Sequence, residues 1–176
     1  MARKTMATPA RKGTHNGAQP RTKAGSASSP LVDALQQQTA NSIILYLNYK
    51  HYHWQTYGPR FRDLHLMFDE FATAVFNSVD ELAERIRILG ANTVHAPSAL
   101  EAAASISPAA ASDSMQQMIA EARANESTVI SEMRDAAALA DDQHDPGTAD
   151  LFTRVVQIHE KHEWFLRETL MGGDPL

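Results

Sequence analysis

Cysteine is absent from the 176 residues. That excludes a disulfide framework and any thiolate metal ligand, and it fits a reducing cytoplasm. No apolar run approaches the roughly 20 residues that a membrane-spanning helix needs. No stretch alternates apolar and polar residues as a half-buried strand would, and no internal repeat is present. Glycine and proline are missing throughout residues 33–57, where the middle is apolar (IILYL), so this segment reads as a first helix ending before Gly58. Acidic residues are missing from positions 1–30, which carry Arg3, Lys4, Arg11, Lys12, Arg21 and Lys23. The formal charge of −5 therefore hides an asymmetry, because the remainder holds 10 basic residues against 21 acidic ones, a formal −11.

Residues 1–30 are rich in Ala, Thr, Gly, Ser and Pro and have few large apolar groups, so they read as a disordered basic tail. A flexible cationic arm on an acidic body suits a polyanion, bound without sequence preference through counterion release. A solubilising tail that touches nothing specific is the plain alternative. An organellar targeting peptide fits less well, since Pro9, Pro20 and the glycines interrupt any long amphipathic helix. Residues 31–172 are read as one folded domain, followed by a short tail at 173–176.

The most informative segment lies between His53 and Glu84. Over residues 60–89, Phe61, Leu64, Phe68, Phe71, Val75, Val79, Leu82, Ile86 and Leu89 recur at helical spacing and form a core-facing stripe about 80° wide. His65, Asp69, Asp80 and Glu84 fall in a second arc beside it, which Phe76 shares. At a rise of ~1.5 Å per residue, Asp69 and Asp80 are about 16 Å apart along the axis, and His65 and Glu84 about 28 Å. One metal site spans neither distance. Two identical helices packed antiparallel across a two-fold axis would bring the His65/Asp69 pair of one chain to the Asp80/Glu84 pair of the other, creating two equivalent sites. His53 lies before the turn at Gly58–Pro59, and a helical hairpin would fold it back towards His65. Imidazole and carboxylate together suit iron, zinc or manganese. On spacing alone a solvated helix face and a metal site both account for these residues.

The run His53–Trp54, Gly58, Phe61, Leu64–His65, Phe68–Asp69–Glu70 and Asp80-x-x-Ala83–Glu84–Arg85 resembles the signature of the Dps family, the bacterial mini-ferritins. The resemblance extends over roughly residues 33–171. It implies an all-α, ferritin-like four-helix bundle with a short extra helix in the connection between the second and third helices, and a hollow shell of twelve subunits. It implies a ferroxidase centre at a two-fold interface, with His53, His65 and Asp69 from one subunit and Asp80 and Glu84 from its mate. The expected chemistry is oxidation of Fe(II) by hydrogen peroxide, or more slowly by dioxygen, with ferric mineral stored inside and zinc as a possible surrogate. Trp54 would stand beside the site, intercepting stray oxidising equivalents or only packing. Asp150 resembles a lining position of the iron-entry pore at a three-fold axis. The tail would bind DNA, and the protein would be cytoplasmic and nucleoid-associated.

The other histidines are read more plainly. His51 is two residues from His53 and on a different helix face, which favours a surface or supporting role. His159 and His162 have i,i+3 spacing on the last helix and are assigned to packing before any role as extra ligands. Met115, Met118, Ala122, Val129 and Met133 mark a helix over 112–140, and Leu151, Val155, Ile158 and Phe165 a final one. Asp145–Pro146–Gly147–Thr148 reads as a turn with a capping residue. Ser98 with Glu101 reads as a capping box for the short connecting helix. Asp141, Asp142 and Asp145 are assigned to a solvated, helix-capping loop. Two other functions stay in view: a DNA-compacting architectural protein with a vestigial metal site, and an ordinary ferritin with iron inside each bundle. No histidine has a Glu three residues before it, which counts against the ferritin pattern of Glu-x-x-His pairs.

Overall fold

A computed structural model describes residues 29–111 and 114–171. Among these there are five helices and no strand: α1 (Pro30–Gln55), α2 (Phe61–Ile88), α3 (Pro97–Ala103), α4 (Met115–Asp142) and α5 (Pro146–Leu170). The basic residues Arg3, Lys4, Arg11, Lys12, Arg21 and Lys23, and the C-terminal tail at 173–176, lie outside the described residues. The fold is the expected all-α bundle with a short helix in the connection between the second and third long helices. No helix among the described residues is long and apolar enough to cross a membrane.

The bundle consists of two helical hairpins. α1 packs chiefly against α2, and α4 against α5, while α1–α4 and α2–α5 contacts close the four-helix core. That core is built from Leu35, Leu45, Tyr49, Tyr52, Phe68, Leu82, Met118, Met133 and Phe152, all fully buried. Gly58, at φ +89°, makes the turn between α1 and α2. Gly90, at φ +87°, ends α2, with Gly90 N–H donating to the Arg87 carbonyl and Ala91 N–H to that of Ile86. This pair of bonds is the Schellman arrangement that glycine favours. His144 occupies the equivalent place after α4 at φ 58°, with its own N–H on Asp141 and that of Asp145 on Ala140. An L-residue is strained there.

The long connection between α2 and α4 is strapped to α1 by polar side chains spaced along that helix. Gln36 accepts from Val94 N–H at 2.9 Å. Asn41 accepts from Ser105 N–H at 2.9 Å and donates to Glu132 on α4 at 3.0 Å. Asn48 accepts from Ala109 N–H at 2.7 Å and donates to the Ser107 carbonyl at 3.0 Å. These bonds satisfy backbone groups of a segment that has no ladder of its own.

Two local readings are corrected and a third is borne out. α3 begins at Pro97 with Ala96 as its N-cap and no side-chain capping bond, so Ser98 lies inside the helix. Proline at the first helical position sets that start, because its fixed φ suits the first turn and its missing N–H costs nothing there. Phe61 and Leu89, at the two ends of the α2 stripe, are exposed in the single chain because the helix ends project beyond the core. Asp145 is a cap as expected: its carboxylate accepts from Thr148 N–H at 3.0 Å and pairs with Arg85.

Candidate metal centre

The hairpin turn brings His53 onto His65. Their rings stack with centroids 3.7 Å apart and planes 18° from parallel. His53 Nδ1 lies 2.7 Å from the His65 carbonyl, and His65 Nδ1 lies 2.9 Å from the His53 carbonyl. A carbonyl only accepts, so each Nδ1 carries the proton, and in the neutral rings each Nε2 keeps its lone pair. The backbone thereby fixes tautomer and orientation together, which is how metal-ligating histidines are usually prepared. Phe61 also stacks on His65, at 5.0 Å and 22°.

Asp69 follows one turn after His65 and is paired with Lys50 at 2.6 Å. The hydrogen bond from the Lys50 ammonium holds the Asp69 carboxyl below the usual carboxylate range, against a smaller opposing effect of burial. Lys50 also stands 5.8 Å from the centre of the Trp54 ring, and Trp54 is 66% exposed. His51 is half-buried and its ring meets Tyr52 edge-on.

Asp80 and Glu84 are exposed, further along α2. Asp80 borders a shallow surface depression with Phe76, Asn77, Val79 and Ala83. Because α2 runs unbroken from Phe61 to Ile88, its rise keeps Asp80 about 16 Å from Asp69. One chain therefore assembles His53 with His65 and leaves the acids at 80 and 84 apart from them. Asp150 is exposed and paired with Arg154 at 3.1 Å, and Arg154 in turn reaches Glu81 at 2.9 Å.

A second cluster lies inside the bundle, where no metal site was expected. Glu126 of α4 meets His159 and His162 of α5: His159 Nδ1 is 2.6 Å from one carboxylate oxygen and His162 Nδ1 is 3.0 Å from the other. Tyr49 of α1 donates its hydroxyl to the oxygen shared with His162. The side chains of this trio are between 0 and 4% exposed. Burial alone would raise the Glu126 carboxyl, but the two histidines override it and bring the group down to about 2. Burial, with the Glu126 charge beside it, pushes the Tyr49 hydroxyl well up. Among the described residues this is the one group of three His or acidic side chains whose ligand atoms lie within 4.8 Å of one another. Of the core or surface packing expected for His159 and His162 the structure shows the core, while their acidic partner was missed. The signal was present: Met118, Ala122, Glu126, Val129 and Met133 share one helical register, so an acid occupies a core position.

A family model described as a ferritin-like domain matches residues 32–172. Within that class, DNA protection during starvation protein 1 of Deinococcus radiodurans is 35% identical over 78% of this chain and 67% of its own length. The crystal structure of Dps from Thermosynechococcus elongatus is 47% identical, covers 83% of this chain and 93% of that one, and superposes with a TM-score of 0.81. A Vibrio cholerae Dps structure, described as a member of a broad superfamily of ferritin-like diiron-carboxylate proteins, is 33% identical with a TM-score of 0.76, covering 80% of this chain and 89% of that one. The chain belongs to the Dps family of ferritin-like proteins.

Proposed function

We propose that this protein is a ferroxidase that oxidises Fe(II) with hydrogen peroxide, or more slowly with dioxygen, at a site shared between two copies, and stores the ferric product as mineral within a shell of twelve. The observation that carries the reading is the locked His53/His65 pair, half-buried on the α1–α2 hairpin, whose Nε2 atoms keep their lone pairs. In this reading His53, His65 and Asp69 bind iron together with Asp80 and Glu84 of a second copy. Exposed apolar side chains along the same hairpin suit burial between copies: Leu47, Trp54, Phe61, Leu66 and Phe76, the last 55% exposed. Family membership, and the diiron-carboxylate superfamily named for the Vibrio cholerae structure, support iron as the substrate.

The division of labour follows from the donors. Imidazoles hold the ferrous ion, and carboxylates favour the harder ferric product. Two ferrous ions supply the two electrons that reduce one peroxide, which takes up two protons and leaves as two waters. Consuming peroxide and iron in one event denies both to hydroxyl-radical production, which protects DNA even without contact. Lys50 keeps Asp69 occupied until a cation displaces it. Trp54 is proposed to intercept oxidising equivalents that escape, and zinc to serve as a redox-silent surrogate. Asp150, with Arg154 as its present partner, is proposed to line the ion path at a three-fold axis.

Residues 1–30 are proposed to be a DNA-binding arm, with Arg3, Lys4, Arg11, Lys12, Arg21 and Lys23 neutralising phosphates in a cytoplasmic, nucleoid-associated protein. Six cations bind weakly alone, and many arms on one shell supply avidity. Anaerobic loading with Fe(II) followed by a peroxide pulse tests the oxidation. Rapid oxidation to soluble mineral, lost in Asp80→Ala/Glu84→Ala, is expected. Unchanged kinetics in that variant would remove both acids from the site. Oxidation no faster than free iron in the parent would favour a DNA-compacting role with a vestigial metal site. Removing residues 1–30 should abolish DNA retardation in gels and leave oxidation intact.

A further inference from the structure

We propose that Glu126, His159 and His162 form a second metal site, holding one divalent transition-metal ion inside each bundle, separate from the surface hairpin and complete within one chain. Two imidazoles and one carboxylate form a donor set suited to Fe(II) or Zn(II). Their ligand atoms already lie within 4.8 Å of one another. The present contacts of 2.6 and 3.0 Å are hydrogen bonds. Bonds of about 2.0–2.1 Å in a tetrahedral site would separate the same donors by roughly 3.3 Å, so a small opening of the trio admits an ion.

The surroundings support a prepared site. Tyr49 fixes one carboxylate oxygen. Phe71 stacks on His162 at 3.9 Å and 18°, which sets that ring's plane. His159 Nε2 is buried without a protein partner, so the trio is not a closed polar network. A carboxylate buried in a dry core is costly unless hydrogen-bond donors or a cation compensate it, and here two imidazoles and a tyrosine hydroxyl converge on it. On binding, each Nδ1 proton moves to Nε2 of the same ring and the Nδ1 lone pairs turn to the ion. A single ion is the natural occupancy, because one carboxylate does not balance two divalent charges. The register that places His159 and His162 in the core, shared with Val155 and Leu166, aims both rings at α4. The trio is almost fully enclosed, so the ion is taken up as the bundle forms.

Cobalt(II) is the probe, tested in a full-length background carrying His53→Ala, His65→Ala, Asp80→Ala and Glu84→Ala to silence the surface hairpin. Protein produced in cobalt-supplemented medium and then washed with chelator is expected to retain one ion per chain. It should show d–d absorption and two paramagnetically shifted imidazole N–H resonances. Adding Glu126→Gln or His162→Gln should lower retained cobalt at least tenfold. The parent background contains the whole trio, so its own spectrum decides the matter even if those variants fold poorly. No retained ion, or a retained ion without shifted imidazole protons, overturns the site. Equal retention in a folded Glu126→Gln protein does the same, leaving Glu126 and its histidines as a buried hydrogen-bonded trio only.

Discussion

The α1–α2 hairpin and the α4–α5 hairpin each carry a pair of histidines, and they use them in opposite ways. On α1–α2, the Nδ1–H groups of His53 and His65 donate to each other's backbone carbonyls, and their second nitrogens keep their lone pairs. On α4–α5, His159 and His162 turn their Nδ1 atoms onto Glu126 and are sealed in the core. What separates them is the source of the acid. Near His53 and His65 the nearest carboxylate, Asp69, is held by Lys50, and two more wait far along α2. In the interior the acid is already at hand. The surface pair has no acid of its own at hand, whereas the interior pair meets its acid as soon as the bundle folds.

The largest effect that would break this contrast is Glu126→Ala. Removing the acid leaves two buried imidazoles and a buried tyrosine hydroxyl without their acceptor, at about 1–3 kcal/mol for each group left unsatisfied. Urea denaturation should show it as a clear drop in midpoint, and an unchanged midpoint would mean the interior network contributes little. His65→Ala, by contrast, should barely move that midpoint while slowing peroxide-driven iron oxidation by about 100-fold or more, since even supporting groups around metals are worth 10–100-fold. Stopped-flow absorbance after a peroxide pulse measures this, and a slowing below tenfold would demote His65.

Lys50→Met sharpens the surface half of the comparison with a smaller effect. Exposed ion pairs are worth about 0.2–1 kcal/mol, so freeing Asp69 should tighten Fe(II) or Zn(II) binding by up to about fivefold. Titration calorimetry with Zn(II) would read it, and weaker binding would show that Lys50 helps the site. On the interior hairpin, the Asp145 cap of α5 provides a pH handle. Burial opposes ionisation there, but bonds from Thr148 and Arg85 hold the carboxyl below its ordinary value. A depressed folded-state value adds stability above the ordinary carboxylate range and loses it as pH falls through the depressed value. Asp145→Asn should therefore be less stable than the parent at pH 7, and the gap should narrow in acid. The smallest effect expected is a gain: His144→Gly relieves a left-handed conformation that costs an L-residue roughly 1–2 kcal/mol, offset in part by about 0.5–1 kcal/mol of glycine's chain entropy.

Much of this fold could be read from the residue pattern because helices are local objects. The apolar spacing of α2 and α4 and the proline and glycine punctuation around α1 and α5 placed every long helix within a few residues of its ends. Asp145 was legible as a cap for the same reason. Ser98 was misread because the capping-box pattern competes with Pro97, and the proline sets the helix start. Phe61 and Leu89 belonged to the right stripe, yet a stripe does not say where the core stops. On the surface hairpin, the spacing of His53, His65, Asp69, Asp80 and Glu84 carried the argument that one chain is not enough. Glu126 escaped notice because an acid among core positions is visible only when its register is followed through Met118, Ala122, Val129 and Met133.

The order of the residues by itself determined which side chains share a helix face and how far apart they stand along its axis, since a 1.5 Å rise and 3.6-residue turn leave no choice. It thereby separated Asp69 from Asp80 and aligned His159 with His162. Tertiary structure decided which faces meet. Folding back at Gly58 stacked His53 on His65 and assigned their protons, and docking α4 against α5 brought Glu126 between two imidazoles 33 and 36 residues away. Those encounters depend on how helices rotate and pack around a shared core, a non-local balance of buried area and polar satisfaction that no single segment encodes.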